Sequence, residues 1–190
     1  GSDGEVLARG DIMLKEYYNK PEATREVLDP DGWFHTGDIG VIEDGFLRIT
    51  DRKKDIIVTA GGKNVAPQNI EGALKSGCPF VSQAMVHGDK RNFLSALITV
   101  SEEALLPWAK EQGVSFASYP ELTQKPEVRA LIQSAVDKLN ATLPSWETIK
   151  KFAILDRDFS LETGELTPTL KVKRKAVTEK LKRTLDAFYA

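Results

Sequence analysis

In residues 126–139 the apolar side chains Val128, Leu131, Ile132, Ala135, Val136 and Leu139 recur at helical spacing, with charged and polar residues between them. Pro126 suits the first position of that helix, where its missing N–H is no loss. The stripe is core, and the strands and helices around it are read as its cover. Residues 81–86 and 94–100 flank the GDKRN turn as a hairpin, residues 149–155 form a third strand, and Ile56, Ile57 and Val58 a short buried one. Gly61 and Gly62 turn the chain, and Pro67 starts a helix with Ile70, Ala73 and Leu74 on one face. Pro107 interrupts residues 102–112, which predicts a turn followed by a helix. Residues 173–188 predict one final helix with Val177, Leu181, Leu185 and Phe188 inward. The fold class is therefore α+β from about Lys54 onward: a short mixed sheet of about three strands plus a hairpin, flanked by helices.

The front of the chain reads differently. Residues 5–9 suit a short strand, and Pro21 opens a short helix through Val27 that stops at DPDG. The runs IGVI and FLRIT around Asp44-Gly45 signal a hairpin. These strands lack the partners to close a core and look like sheet cut from something larger.

A length of 190 residues allows one ordinary domain, or a small domain with a further piece attached. With 41% hydrophobic and 28% charged residues an ordered core is expected. The formal net charge of -2 speaks against a nucleic-acid-binding surface, so any anion site must be local. The single cysteine, Cys78, is given no catalytic role, and no Cys or His pairs stand at metal spacing; no metal site is expected. A reducing, cytoplasmic location follows, since no segment has the length of a membrane span and residues 1–10 lack signal-peptide character. Gly1-Ser2 resembles a cloning remnant, which implies a natural chain that begins further upstream.

Four places can carry chemistry. Asp38, in HTGD just before a strand, can accept two hydrogen bonds from the vicinal diol of a ribose, or it is a turn aspartate satisfying local amides. Its neighbour His35, beside Trp33 and Phe34, could be an acid or base but is read as a packed or partly exposed histidine and given no catalytic role. Arg52, Lys53 and Lys54 form an anion-binding cluster or a solvated charge run. Gly61-Gly62 is a simple turn, or a place where a ligand passes too close to the backbone for a Cβ. Lys171, in TPTLKVKRK, can reach from a loop to neutralise charge developing in acyl or phosphoryl transfer. The rival account of the basic tail is a solvated helix face or a surface for anionic lipid or polynucleotide.

Taken in order, DGEVLARGDIMLKEYYNKPEAT, GWFHTGD, DRKKDIIVTAGGKNVAPQNIE and TPTLKVKRK resemble the C-terminal motifs of the adenylate-forming enzymes, and within them the long-chain fatty acyl-CoA synthetases. The resemblance covers nearly the whole chain. It implies that residues 1–53 are the end of a large adenylation domain and residues 54–190 a mobile C-terminal domain. It implies two half-reactions: fatty acid and ATP give acyl-adenylate and pyrophosphate, and coenzyme A then gives acyl-CoA and AMP. Carried over, Asp38 and Arg52 bind the nucleotide ribose, Lys54 is the hinge, Lys171 is the catalytic lysine of adenylation, and Gly61, Gly62 and Lys63 serve coenzyme A.

Asp51 and Leu170 stand where glycine is frequent in the superfamily, and residues 102–145 are longer than in small relatives; both departures are familiar in the long-chain branch. The phosphate loop and the segments for adenine and Mg2+ are absent, so the resemblance assigns ATP and Mg2+ mainly to an N-terminal domain not in this sequence and predicts negligible activity for the segment alone. The implied partners are fatty acid, ATP and coenzyme A, with no nucleic acid and with peripheral contact at the inner face of a membrane allowed. Two other readings stay open: a fatty acyl-AMP ligase or an enzyme acylating a carrier protein, and a non-catalytic binding module with a basic C-terminal helix.

Overall fold

In the computed structural model, which describes residues 1–190, the chain divides into two units, Gly1–Ile56 and Ile57–Ala190. The first holds β1 (Glu5–Ala8), α1 (Pro21–Val27), β2 (Phe34–Glu43) and β3 (Phe46–Arg52), with the strands in one antiparallel sheet ordered β1-β2-β3. Asp44 and Gly45 both have positive φ, at 51° and 82°, as a two-residue hairpin turn matched to strand twist requires. Gly40 is needed for a different reason: a Cβ there would lie 2.9 Å from Val6 Cγ2 and 3.0 Å from the Arg48 carbonyl oxygen. The sheet closes no core. Val41, Ile42, Phe46, Leu47 and Ile49 are all at least 40% exposed, as expected of strands without a covering layer. β2 begins four residues before Asp38, which corrects the placement of that aspartate ahead of a strand. Pairing to β1 extends the strand across His35 and Gly37 despite their weak strand propensity. A short 3-10 turn, Lys53–Asp55, follows β3.

The second unit opens with a two-stranded antiparallel ribbon, β4 (Ile57–Val58) and β5 (Asn64–Val65). Ile57 is buried, whereas Val58 is 44% exposed and Ile56 lies outside the strand, so the expected buried run shortens to one inward residue. Next come α2 (Pro67–Gly77), β6 (Val81–His87), β7 (Leu94–Val100), α3 (Glu102–Glu111), α4 (Tyr119–Thr123), α5 (Pro126–Asn140), β8 (Ile149–Ile154), α6 (Arg174–Lys180) and α7 (Lys182–Ala187). The sheet order is β6-β7-β8, antiparallel then parallel, which is the expected mixed sheet.

β7 is buried along its whole length, because both faces of the sheet are covered. Ala96, Ile98 and Val100 face one apolar cluster with Ile70 and Leu74 of α2 and Val128, Ile132 and Val136 of α5. Leu97 and Met85 face the other with Phe159, Leu166, Val177 and Leu185. The stripe on α5 is therefore core, with Leu131, Ala135 and Leu139 partly buried at its edge.

Three helix expectations need correction. Ala73 on α2 is exposed; only Pro67, Ile70 and Leu74 turn inward. α3 runs through Pro107 without a break. Pro107 and Glu103, whose carbonyl loses its partner, both lie on the exposed face, where the orphan is open to solvent. Burial of Leu105 and Ala109 and the Ser101 hydroxyl cap, which accepts from the Ala104 amide, outweigh the lost bond. The last helix is two: α6 and α7 meet at Leu181 (φ -104°, ψ 23°). The kink leaves Val177 and Leu185 buried and Leu181 and Phe188 packed on the same cluster, so the inward face stands as read.

Candidate functional site

Asp38 and Arg52 are cross-strand partners on β2 and β3, and Arg52 Nε donates to Asp38 Oδ1 at 3.0 Å. That contact engages one carboxylate oxygen and one guanidinium donor. The second oxygen and the terminal amino groups stay available on side chains 31% and 52% exposed, an acceptor and donors at one place on the surface. The approach to Asp38 is fixed by polar contacts. Thr36 Oγ1 donates to the Val6 carbonyl (2.7 Å) and accepts from the Asp38 amide (3.1 Å), and Gly37, at φ 70°, donates its amide to Glu5 Oε1 (3.0 Å).

The basic run ahead of the ribbon is thus not a uniform charge patch. Arg52 joins Asp38, Lys54 is exposed, and Lys53 pairs with Asp3 (2.7 Å) and with Glu5 (2.9 Å). Glu5 is buried, and the Lys53 ammonium beside it holds its carboxyl below the usual carboxylate range against the opposing effect of burial; His35 Nδ1, at 3.1 Å, and the Gly37 amide add to this. His35 accordingly has a structural partner, in line with giving it no catalytic role. Glu5 itself was not legible: a carboxylate in a short amphipathic run carries no sign that it is inward.

Gly61, Gly62 and Lys63 lie together in the turn of the β4–β5 ribbon. The Thr59 amide donates to the Lys63 carbonyl (3.0 Å) and the Gly62 amide to the Thr59 carbonyl (2.9 Å). Gly62 has φ 74° and needs to be glycine for the turn. Gly61 does not: its φ is ordinary, and an added Cβ would meet nothing nearer than Thr59 Oγ1 at 3.9 Å. Nothing inside the unit demands glycine there, which separates the two residues that the sequence presents as one pair. Lys63 places its ammonium 5.1 Å from the ring centroid of Trp146, itself 45% exposed.

Lys171 stands on a tight hairpin closed by the Leu166–Val172 bridge. The Thr167 amide donates to the Lys171 carbonyl (2.8 Å), the Lys171 amide to Thr167 Oγ1 (3.1 Å) and the Leu170 amide to the Thr167 carbonyl (2.8 Å). Leu170 takes φ 59°, the left-handed region glycine adopts freely, so the residue standing in for glycine has the glycine conformation and carries about 1–2 kcal/mol of strain. The base of the hairpin is a charged clasp that the sequence reading missed. Glu165 is 1% exposed; both its oxygens accept from Arg157 (2.8 and 2.7 Å), Thr163 Oγ1 donates at 2.7 Å, and Lys180 adds a longer contact of 3.4 Å. The Arg157 guanidinium in particular holds the Glu165 carboxyl down at about 2.

Arg174, three residues beyond Lys171, is tied inward. It donates to Glu71 Oε1 at 2.5 Å and to the Val86 carbonyl at 3.0 Å. The basic tail is therefore partly neutralised from within: Arg174 and Lys180 have carboxylate partners, while Lys171, Lys173, Lys175 and Lys182 are exposed. Cys78 lies in the connection between α2 and β6 with its side chain buried in the larger apolar cluster. No group of three or more His, Cys, Asp or Glu side chains is placed to hold a metal ion, and no helix is long and apolar enough to cross a membrane.

The family described as "AMP-binding enzyme C-terminal domain" matches residues 54–190. The long-chain-fatty-acid–CoA ligase FadD15 of Mycobacterium tuberculosis is 48% identical over 189 residues, 98% of this chain and 31% of that protein. The peroxisomal long chain acyl-CoA synthetase 7 of Arabidopsis thaliana is 40% identical over 191 residues, 98% of this chain and 27% of that protein. The chain thus spans less than a third of the length of these curated relatives. Among solved structures, the adenylation domain of a carboxylate reductase from Mycobacterium chelonae superposes with a TM-score of 0.78 at 29% identity, covering 98% of this chain and 27% of that one.

Proposed function

The chain belongs to the family of AMP-binding enzyme C-terminal domains, and from that premise we propose that it is the C-terminal segment of an ATP-dependent long-chain fatty acid:CoA ligase. The observation that carries this is the 48% identity to a long-chain-fatty-acid–CoA ligase along 98% of the chain. Residues 1–53 are then the end of the large adenylation domain and residues 54–190 the mobile domain. In the first half-reaction the fatty carboxylate attacks the α-phosphorus of ATP and pyrophosphate leaves. In the second, the thiol of coenzyme A attacks the acyl carbon and AMP leaves.

Asp38 and Arg52 hold the ribose, the free carboxylate oxygen accepting from a hydroxyl and the guanidinium donating back. Lys171 brings an ammonium to the carboxylate and α-phosphate as charge builds between them. Lys54 lies in the 3-10 turn next to the boundary between the units, a short segment suited to absorb a change in backbone angles. Gly61 is a glycine without an internal reason, which supports its use where the pantetheine arm passes, with Gly62 and Lys63 beside it. The residues present offer no cation site, so no step here is assigned to Mg2+; ATP and the metal fall mainly to the large domain. The reaction is placed in the cytoplasm, and the exposed lysines of the tail support peripheral contact with a membrane face.

The intact ligase supplied with ATP, a long-chain fatty acid and coenzyme A is expected to form acyl-CoA and AMP in equal amounts. Acyl-adenylate that accumulates and passes only to a carrier protein would replace coenzyme A as acceptor, and no ATP-dependent acyl transfer at all would sink the proposal. In the same assay Gly61→Trp is expected to slow attack by coenzyme A on supplied acyl-adenylate about 100-fold, the scale of a misplaced reactant. Pyrophosphate release should change less than about threefold. An unchanged thioester step would remove Gly61 from the channel.

A further inference from the structure

Beyond its own hydrogen bonds and the buried Ile57 and Val65, the turn that carries Gly61 is tied to the loop between β6 and β7, residues 88–93. Val58 donates its amide to Asp89 Oδ1 (3.1 Å) and accepts at its carbonyl from the Lys90 amide (2.8 Å); the Ala60 amide donates to the Arg91 carbonyl (2.9 Å). The backbone of that loop packs closely at its start and turns sharply at its middle. A Cβ at Gly88 would fall 2.5 Å from Leu94 Cδ2, and Lys90 holds φ 56°.

The same loop is clasped by Tyr189, the residue just after the last helical turn. The Tyr189 hydroxyl lies 2.8 Å from Oγ of the fully buried Ser95, 3.1 Å from the His87 carbonyl oxygen and 3.3 Å from that of Phe93. With one hydrogen it donates to one of these carbonyls while accepting from Ser95, so both ends of the loop meet on one oxygen. The Tyr189 ring packs against Phe93, tilted by 34° with centroids 4.8 Å apart, and lies 4.7 Å from the Arg91 guanidinium, which Asp186 of α7 holds at 2.8 Å. A tyrosine remote in sequence from every motif thus reaches the Gly61 turn through one loop and three hydrogen bonds.

We propose that Tyr189 is a positioning residue for the thioester-forming half-reaction: by fixing residues 88–93 it fixes the Gly61 turn, and with it the line along which the thiol of coenzyme A approaches the acyl carbon. This rests on the assignment of Gly61 to the pantetheine passage. Lys171 is carried on a separate hairpin with its own clasp, so adenylation does not depend on Tyr189.

The test uses the intact ligase with Tyr189→Phe, which removes the hydroxyl and keeps the ring, and Tyr189→Ala, which removes both. With supplied acyl-adenylate, kcat/KM for coenzyme A should fall about tenfold for Tyr189→Phe and about 100-fold for Tyr189→Ala, the scale of one and then several lost contacts. Pyrophosphate release in the first half-reaction should stay within about twofold. Amide exchange in the segment containing Val58 and Ala60 should quicken about tenfold, a readout of the turn itself. Equal falls in both half-reactions, an unaffected thioester step beside a damaging Gly61→Trp, or unchanged exchange at Val58 and Ala60 would each overturn the inference. If Gly61→Trp leaves thioesterification intact while exchange quickens as stated, the channel assignment has failed and the mechanical link from Tyr189 to the turn has held.

Discussion

Lys171→Ala in the proposed full-length ligase is expected to slow acyl-adenylate formation by about 1,000-fold, while attack of coenzyme A on supplied acyl-adenylate changes less than about threefold. The reason is electrostatic. Joining a carboxylate to the α-phosphate brings anions together, and an ammonium set between them in a site without water contributes far more than it would in solution. In the proposed role the hairpin from Thr167 to Lys171 would present that ammonium from an exposed position, its backbone fixed by three hydrogen bonds to Thr167 and by the Leu166–Val172 bridge. Lys171→Arg should recover little, because a planar guanidinium does not present the same compact charge. Separate assays of pyrophosphate release and thioester formation decide it, and equal losses in both would end the assignment of Lys171 to one step.

The elements that the sequence disclosed are those whose signal is local. Pro21, Pro67 and Pro126 each open a helix at the residue expected, and the Asp44-Gly45 turn sits where two apolar runs meet. The misreadings come from contacts distant in sequence. Pro107 is tolerated because Leu105 and Ala109 are buried by other elements, and Leu181 breaks a helix that the apolar spacing from Val177 to Phe188 would continue. At the site the same division holds. Asp38, Arg52, Gly61 and Lys171 were legible as motif residues. Their supports were not: Glu5, Glu165, Arg157 and Tyr189 are ordinary residue types whose partners lie far along the chain or across a turn, and no spacing rule finds a carboxylate buried by tertiary packing. Gly61 shows the opposite case, a residue whose structure lacks the reason its sequence context suggests.

The clasp at the base of the Lys171 hairpin gives the largest expected change in stability. Glu165 is nearly fully buried, and its carboxyl sits at about 2, against 4.5 when unfolded, chiefly through Arg157. A group lowered in the folded state stabilises fully above its unfolded value and loses that contribution as pH falls through the folded one. The window is therefore pH 4.5 down to about 2, and a shift of this size corresponds to at most about 3 kcal/mol, reduced because Arg157 is half-exposed and partly screened. Glu165→Gln is expected to lose about 2 kcal/mol at neutral pH and to flatten the acid limb of the stability curve, since the glutamine has no proton to take up. Glu165→Ala should lose about 3 kcal/mol by removing the acceptor that Arg157, Thr163 and Lys180 share, although Thr163 keeps Ser160, Lys180 keeps the Thr163 carbonyl and Arg157 returns to water. Urea unfolding of the 190-residue chain, followed by amide exchange in residues 157–180 at pH 7 and at pH 3.5, measures both terms. A Glu165→Gln chain that matches the parent in stability at pH 7 would mean that Arg157 and Lys180 gain from solvent what they gain from the carboxylate, and the hairpin bearing Lys171 would then be held by its backbone hydrogen bonds and by the packing of Leu166 and Val172.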